Sequence, residues 1–298
     1  MRHHLDSNEE TPKSLAWRNQ GKQQRIRPTD EGPPKMSRQS GRPMKRQLLK
    51  LPALFAIIAG LVIFAIGKPE ATETDRHTIQ TLPPEVADRT ENLNDRFWLY
   101  LPKRYKQASK EKPMPLIIYL HGSSRRGRDV AEVKANGLAP LMDKRDDFEF
   151  VVVSPQALSK HPWQACWQPD DLIILLVHLL TNYHLDPTRV YLTGLSMGAY
   201  GTWAAIEKHA DHFAAAAPIC GGGDPATAKG IGKLPVWAFH GDDDRVVSVE
   251  RSQEMVDAIK AAKGNAKLTI YPGVGHDSYT RTYANPKLYE WFLKQKRP

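Results

Sequence analysis

The chain has 298 residues, of which 41% are hydrophobic and 25% are charged, a composition typical of globular proteins. Its net charge of +9 is unevenly distributed, because residues 1–50 contain 12 Lys and Arg against 5 Asp and Glu. The remaining 248 residues contain 30 basic and 28 acidic side chains and are nearly neutral. This balance argues against a nucleic acid as the partner of the globular part.

The first 67 residues divide into a polar head and an apolar run. Residues 1–43 are rich in Pro, Gln, Arg and Lys and have no periodic apolar pattern, which predicts disorder. The basic segment 44–50 then precedes an uncharged run, 51–67, that ends in Ala-Ile-Gly. This order is typical of a secretory signal with a small-x-small cleavage site.

Two interpretations of this run remain open. It is either a cleaved signal peptide that begins at Met44, with residues 1–43 an over-extended start, or an uncleaved membrane anchor with a basic cytoplasmic tail. The first predicts a periplasmic or extracellular protein and the second an anchor in the inner membrane. A buried core helix is the less favoured alternative. In the anchored form, the basic residues of segment 1–50 would also be attracted to anionic lipids at the membrane surface.

Residues 68–90 have the composition of a linker, and residues 91–298 are long enough for one domain with a substantial core. Seven short apolar runs in this domain predict strands, the first of them antiparallel: 96–101, 115–120, 148–153, 190–192, 213–219, 234–239 and 266–271. Four helices are predicted: 170–183, which is apolar enough to be buried, one from about Met197, 248–262 and 287–296. This alternation predicts an α/β fold with a mostly parallel central sheet, helices on both faces and no large cap domain.

The sequence Gly194-Leu195-Ser196-Met197-Gly198 joins a predicted strand to a predicted helix. A bare G-x-S-x-G motif occurs by chance in about one chain in ten of this length, so its context decides its meaning. A serine at the tip of such a turn has a strained backbone, and glycines on either side permit the close approach of neighbouring chain. Strand, turn and helix together predict a nucleophile elbow with Ser196 as the nucleophile.

Candidate partners of Ser196 follow two later strands. His276 lies between the last predicted strand and the last helix, in a glycine-rich loop where it can act as the general base. Asp244 is the predicted acid that orients His276, with Asp243 as the alternative, because Asp242, Asp243 and Asp244 are consecutive. The chain order Ser, Asp, His is that expected of a serine hydrolase with parallel strands.

An oxyanion hole is predicted from two backbone N–H groups. One belongs to Met197, directly after the nucleophile, and the other to Ser123, in the loop after His121-Gly122. Gly122 permits close approach of the backbone, and the side chain of His121 is interpreted as structural.

Other candidate residues have two interpretations each. Trp163, Trp167 and Tyr200 either line a substrate pocket or pack in loops and the core. Cys166 and Cys220, the only cysteines, either form a disulfide in an exported domain or remain free thiols. The chain has no Cys/His spacing of a zinc site, no G-x-x-x-x-G-K-[ST] loop and no dinucleotide fingerprint, so we expect neither a metal nor a cofactor.

Five stretches carry a resemblance to a known superfamily: 119–123, 186–198, 218–224, 236–241 and 271–276. Through them, the region from about residue 93 to 298 resembles the α/β-hydrolases. More narrowly, it is similar to exported bacterial phospholipase/carboxylesterase-like or "predicted peptidase" proteins, near dienelactone hydrolases and feruloyl-esterase or polyhydroxybutyrate-depolymerase-like proteins. Many of these relatives have a second glycine where this chain has Ala199, which is still small.

The resemblance implies cleavage of carboxylic esters through an acyl-serine intermediate, with Ser196, Asp244 and His276 in the three catalytic roles. The implied substrate is a small or an accessible polymeric ester, and the oligomeric state stays open. A peptidase of the prolyl-oligopeptidase type is the alternative enzyme, and a non-catalytic binding protein of hydrolase fold is the alternative from another class. Three arginines follow the predicted oxyanion loop and suggest an acidic group on the substrate: Arg125, Arg126 and Arg128.

Overall fold

The computed structural model describes residues 76–142, 145 and 148–298. The polar head, the apolar run 51–67 and the first part of the predicted linker lie outside the described residues. Within the described part, no helix combines the length and the apolar character that crossing a membrane requires.

One sheet organises the described residues, and its strands are β1 (His77–Thr81), β2 (Leu93–Tyr100), β3 (Met114–Leu120), β4 (Val151–Ala157), β5 (Leu185–Leu195), β6 (Ala215–Ile219), β7 (Val236–Gly241) and β8 (Ala266–Tyr271). Their order across the sheet is β1-β2-β4-β3-β5-β6-β7-β8. The pairs β1·β2 and β2·β4 are antiparallel, and all other neighbours are parallel. The prediction of a mostly parallel sheet with an early antiparallel strand is confirmed.

The helices are α1 (Pro84–Ala87), α2 (Ala139–Met142), α3 (Pro169–Asn182), α4 (Met197–His209), α5 (Ala228–Ile231), α6 (Glu250–Ala261), α7 (Ser278–Ala284) and α8 (Pro286–Leu293). The predicted helices correspond to α3, α4, α6 and α8, with ends shifted by a few residues. The others are short, and α3 is only half buried, because Val177 on its outer face is 54% exposed.

Buried side chains lie on both faces of the sheet. Along β3, Leu116, Ile118 and Leu120 point into one cluster, which also contains side chains from α3 to α6. Ile117 and Tyr119 point into a second cluster with α2, α7 and α8. This alternation is the period of two that an extended strand imposes, and it confirms helices on both faces.

The prediction of a linker over 68–90 is wrong for its described end. His77–Thr81 pairs residue by residue with β2, and α1 follows it. The short strand HTIQT has only one fully buried side chain, so its apolar pattern is too weak to distinguish it from a linker. The domain therefore begins at or before Arg76 rather than near Glu91.

Two predicted strands are longer than expected. β4 continues through Pro155 to Ala157, because β3 pairs with it only as far as Val153 and needs no N–H from the proline. β5 extends from Leu185 to Leu195, beyond both ends of the predicted strand 190–192. The longest connection between consecutive strands, residues 121–150, is too short for a separately folded cap domain.

Candidate active site

Ser196 occupies a strained backbone position between β5 and α4. Its φ is 53° and its ψ is −117°, a combination that L residues rarely adopt. Its amide donates to the carbonyl oxygen of Ile219 on the neighbouring strand β6, at 2.9 Å. Ser196 is 9% exposed, so the turn presents it at the surface of an otherwise packed region.

Glycine is required on both sides of Ser196 because backbone from other elements lies close. A Cβ on Gly198 would lie 2.0 Å from the carbonyl oxygen of Leu120, at the end of β3. A Cβ on Gly194 would lie 2.4 Å from the carbonyl oxygen of Gly198. Real Cβ atoms do not approach backbone so closely, so both positions exclude a side chain.

Three predicted site residues form one hydrogen-bonded chain. His276 Nε2 lies 2.9 Å from Ser196 Oγ, and His276 Nδ1 lies 2.8 Å from Asp244 Oδ2. These residues follow β5, β7 and β8, whose carboxyl ends meet at the same edge of the sheet. His276 faces a carboxylate at one nitrogen and a hydroxyl at the other, as a general base next to a serine requires.

The carboxylate of Asp244 is fully buried. Its Oδ1 accepts from the amides of Val246 and Val247, both at 2.9 Å, while Oδ2 faces His276. Burial raises the pKa of Asp244, but the hydrogen bonds from Val247, His276 and Val246 outweigh burial and hold that pKa below its ordinary value. Asp244 is therefore ionised at neutral pH.

The other two acidic residues of this turn point elsewhere. Asp243 faces Arg245 at 3.2 Å and its side chain is 58% exposed. Asp242 accepts from the amide of Gly273 at 2.6 Å. Of the three consecutive aspartates, the structure therefore brings only Asp244 to His276.

The two amides predicted to bind an oxyanion are at the first residues of helices. Met197 begins α4, and Ser123 begins a short 3₁₀ helix that follows Gly122. N–H groups in a first turn have no acceptor within their own helix. A Cβ built on Gly122 would lie 3.8 Å from Ser196 Cβ, so the Gly122-Ser123 turn borders the serine.

The side chain of His121 is buried, and its two ring nitrogens face backbone groups, which agrees with a structural role. Its Nε2 accepts from the amide of Ala157 at 3.0 Å, and its Nδ1 lies 2.7 Å from the carbonyl oxygen of Gly122. Burial lowers the pKa of His121 to about 4, so the ring is neutral at pH 7. A neutral ring with its proton on Nδ1 satisfies both contacts.

The three candidate pocket residues separate into two groups. Trp163 and Tyr200 are partly exposed and pack edge to face, with ring centroids 5.1 Å apart. Trp167 is 3% exposed and its Nε1 donates to the carbonyl oxygen of His121. The pocket interpretation is therefore wrong for Trp167, which packs in the core, and stays a prediction for the other two.

Both cysteines are buried free thiols, so the disulfide alternative is wrong. Cys220 follows β6 with a φ of 47°. Its sulfur and ligand atoms of Asp244 and His276 all lie within 4.8 Å of one another, a set that a metal could use. Burial raises the pKa of Cys220 to about 12, so its thiol is protonated when no metal is bound.

The arginines after the oxyanion loop are partly engaged by the protein. Arg125 pairs with Glu132 at 2.6 Å, and Arg126 Nε donates to the carbonyl oxygen of Ser123 at 3.1 Å. Arg128 is exposed. An acidic substrate group at these arginines stays a prediction.

Comparison with known proteins agrees with this geometry. Residues 161–289 match the model of the dienelactone hydrolase family, a segment that includes Ser196, Asp244 and His276. The crystal structure of a thermostable esterase is 31% identical, with a TM-score of 0.61 over 75% of this chain and 64% of that chain. This is the α/β-hydrolase fold.

Curated relatives of this α/β-hydrolase domain include two larger proteins. Poly(3-hydroxyalkanoate) depolymerase C of Paucimonas lemoignei is 33% identical over 121 residues, which cover 36% of this chain and 28% of the relative. A bifunctional acetylxylan esterase/xylanase of Neocallimastix patriciarum is 26% identical over 194 residues, 63% of this chain and 27% of the relative. The chain thus spans little more than a quarter of the length of either relative.

Sequence reasoning missed one residue of the α/β-hydrolase site. His240, at the end of β7, is fully buried, and its Nε2 lies 3.2 Å from Asp244 Oδ2. Its position four residues before Asp244, at the end of a strand, could have indicated a contact between the two side chains. Only the folded turn shows that the ring points back at the carboxylate.

Proposed function

We propose that this protein is a serine hydrolase that cleaves carboxylic esters through an acyl-serine intermediate. One observation carries the proposal: the chain of contacts Asp244–His276–Ser196 ends on a strained serine, with contacts of 2.8 and 2.9 Å. A non-catalytic binding protein of the same fold has no need for an ionised carboxylate, an imidazole and a hydroxyl in this order.

The geometry suits a two-step reaction. Ser196 Oγ attacks the ester carbonyl carbon while its proton passes to His276 Nε2. The carbonyl oxygen becomes an oxyanion that faces the amides of Ser123 and Met197. When the C–O bond to the alcohol breaks, the alcohol leaves with the proton from His276. Water then repeats the attack on the acyl-serine, which releases the acid and returns the proton to Ser196.

Asp244 has a separate role in this proposal. Its carboxylate accepts a hydrogen bond from the Nδ1–H group of His276, which keeps that proton on Nδ1 and leaves Nε2 free to take the proton of Ser196. The negative charge also stabilises the imidazolium that forms in each step. Because Asp244 is buried and held by two amides, it performs this role without reorientation.

Accessible carboxylic esters are the favoured substrates. The side chain of His276 is 26% exposed, and none of the connections between the described strands is long enough for a separately folded cap domain. Depolymerase, acetylxylan esterase and esterase are also the names of the proteins that this chain resembles. A peptidase activity is the alternative, and the test below includes it.

The test uses the full chain and its Ser196→Ala variant with short- and long-chain nitrophenyl esters, a feruloyl ester and a proline-containing peptide amide. We expect ester turnover in the parent and loss of kcat by a factor on the order of 10⁶ in the variant. Faster cleavage of the amide than of any ester would identify a peptidase. Equal ester turnover in parent and variant would overturn the proposal.

We also propose that the protein is exported or anchored in the inner membrane. This proposal rests on the basic segment 44–50 and the apolar run 51–67, both outside the described residues. Cell fractionation followed by N-terminal sequencing would show a new N-terminus after residue 67 if the run is cleaved, or membrane-bound protein with an intact run if it is an anchor. Full-length protein in the cytoplasmic fraction would contradict both.

A further inference from the structure

Asp244 lies between two imidazole rings. His276 Nδ1 is 2.8 Å from Asp244 Oδ2, and His240 Nε2 is 3.2 Å from the same oxygen. The two histidines differ in exposure, because the side chain of His276 is 26% exposed whereas that of His240 is fully buried. Only His276 contacts Ser196, so His240 has no direct access to a substrate at the serine.

The contacts of His240 determine where its proton lies. Nε2 faces two acceptors, the carboxylate of Asp244 and the carbonyl oxygen of Val247 at 2.9 Å, so it must carry a proton. Nδ1 lies 2.7 Å from Ser252 Oγ, whose hydroxyl also donates to the carbonyl oxygen of Gly221 at 2.7 Å. Burial lowers the pKa of His240, although Val247 and Asp244 oppose this shift. The Nε2 proton of His240 therefore points toward Asp244 and Val247.

Together these contacts use the full acceptor capacity of the carboxylate. A carboxylate has about four lone-pair directions. The amides of Val246 and Val247 donate to Oδ1, and the rings of His276 and His240 face Oδ2. Since the carboxylate is fully buried, water cannot replace a missing donor, and loss of one leaves a charged oxygen unsatisfied.

Through its Nδ1 atom, His240 connects the carboxylate of Asp244 to the chain segment that packs against Ser196. Ser252, the second partner of His240, is on α6 and also lies 2.7 Å from the carbonyl oxygen of Gly221. Gly221 packs against the elbow, because a Cβ there would lie 3.0 Å from the carbonyl oxygen of Ser196. His240 therefore joins the turn that carries Asp244 to α6 and to the chain that supports Ser196.

We propose that His240 is a positioning residue, whose Nε2–H holds the carboxylate of Asp244 in the orientation that directs His276 at Ser196. This inference rests on the proposed serine-hydrolase function for its kinetic consequences. The groups that face Asp244 are His240, His276 and the thiol of Cys220, together with the amides of Val246 and Val247. Of the two rings that face Asp244, that of His276 contacts the hydroxyl of Ser196, whereas that of His240 contacts Val247 and Ser252.

The kinetic test compares His240→Leu, which removes the donor, with His240→Gln, whose amide N–H₂ can reach the same oxygen. We expect kcat of the leucine variant to fall about ten- to a hundredfold, the value of one hydrogen bond to a buried charge. KM should stay within about twofold, because His240 does not touch substrate. The glutamine variant should recover most of kcat.

A second variant and a control separate positioning from a loss of stability. Ser252→Ala removes the partner of His240 Nδ1 and leaves every donor to Asp244 in place, so a fall in kcat of only about three- to tenfold is expected. His77→Leu replaces another buried histidine, on β1 at the opposite edge of the sheet, and should leave kcat unchanged. Thermal unfolding of each variant shows that the proteins compared are folded.

A spectroscopic readout does not depend on turnover. We expect the proton that His276 Nδ1 donates to Asp244 to give a far-downfield ¹H NMR resonance, present in the parent and in His240→Gln and shifted or lost in His240→Leu. An inactive parent that shows this pattern would refute the proposed function and leave the positioning role intact. A folded His240→Leu protein with parental kcat, or with raised KM alone, would overturn the inference.

Discussion

The carboxyl ends and the amino ends of the parallel strands differ in backbone strain and in the side chains that they carry. At the carboxyl ends, Ser196 and Cys220 have positive φ angles of 53° and 47°. At the amino ends of β3, β4 and β5, a surface cavity of about 700 Å³ is lined by charged side chains, among them the ion pair Arg189–Asp186. The amino ends therefore hold ion pairs around a surface cavity, while the strained and tightly packed carboxyl ends hold the candidate site.

The cavity at the amino ends therefore does not coincide with the candidate site. A strained backbone position costs about 1–3 kcal/mol and persists only where its surroundings fix it. At the carboxyl ends, glycine packing and the contacts of Asp244 supply that support. The amino ends stabilise the fold through bonds such as Arg189 Nε to Asp186 at 2.7 Å. We expect substitutions at the first end to change activity most, and those at the second to change stability alone.

The largest expected effect comes from Asp244→Asn. An asparagine has nearly the same shape but removes the charge that holds His276 in the productive tautomer, so kcat should fall about 10⁴-fold. Steady-state ester hydrolysis measures this. Asp243→Asn is the matched control, since that side chain is exposed and faces Arg245, and its activity should stay within about twofold of the parent. A larger loss of activity in Asp243→Asn than in Asp244→Asn would show that Asp243, and not Asp244, orients His276.

A smaller effect, on stability as well as activity, is expected for Gly198→Ala. The new methyl group would lie 2.0 Å from the carbonyl oxygen of Leu120, so backbone must move at a cost of about 1–3 kcal/mol. Chemical denaturation measures the change in unfolding free energy. Gly275→Ala is the control, because its Cβ would meet Asp243 at an ordinary 3.7 Å, and a change within about 0.5 kcal/mol is expected. Equal stability of the two variants would show that the elbow is not tightly packed.

The smallest effect is expected at the amino ends, for Asp186→Asn. Thr188 donates to Asp186 from both its amide and its hydroxyl, and Arg189 donates to the other oxygen. The variant should lose about 1–2 kcal/mol of unfolding free energy at pH 7 while kcat/KM stays unchanged. A parallel loss of kcat/KM would contradict the separation of the two ends.

The difference in unfolding free energy between the parent and Asp186→Asn should depend on pH in a defined direction. Burial raises the pKa of Asp186, but the bonds from Thr188 and Arg189 outweigh burial, and the folded-state pKa lies below its ordinary value. The stabilisation is therefore complete above the unfolded pKa of about 3.9 and is lost as the pH falls through the lower folded value. Denaturation at a series of pH values should show the parent and Asp186→Asn converging below about pH 4. A difference in stability that widens below about pH 4 would contradict a folded-state pKa of Asp186 below its ordinary value.

Much of the strained end could be predicted from the sequence, because its determinants are local. The motif Gly194-Leu195-Ser196-Met197-Gly198 lies between a strand and a helix as expected, and the structure brings His276 to Ser196. Choosing among three consecutive aspartates needed the folded turn, in which only Asp244 points inward. The role of His240 could not be inferred, because its contact with Asp244 depends on how that turn folds back over β7.

The predictions that failed concern weak or non-local signals. The strand His77–Thr81 has one fully buried side chain and is stabilised by pairing with β2, so its own pattern is that of a linker. Trp167 had two interpretations, a pocket wall or core packing, and Gly201 on α4 leaves room for it in the core: a Cβ there would lie 2.4 Å from Trp167 Cβ. Burial of this kind depends on long-range packing, which a single sequence does not encode locally.

Labelling with a fluorophosphonate probe tests most directly whether the strained end carries the chemistry. The full chain would be treated with the probe, digested and analysed by mass spectrometry, with Ser196→Ala and Asp186→Asn treated in parallel. The account predicts one probe per chain, attached to Ser196, at the same rate in Asp186→Asn and absent in Ser196→Ala. A folded parent that takes up no probe, or takes it up at a residue other than Ser196, would contradict the account.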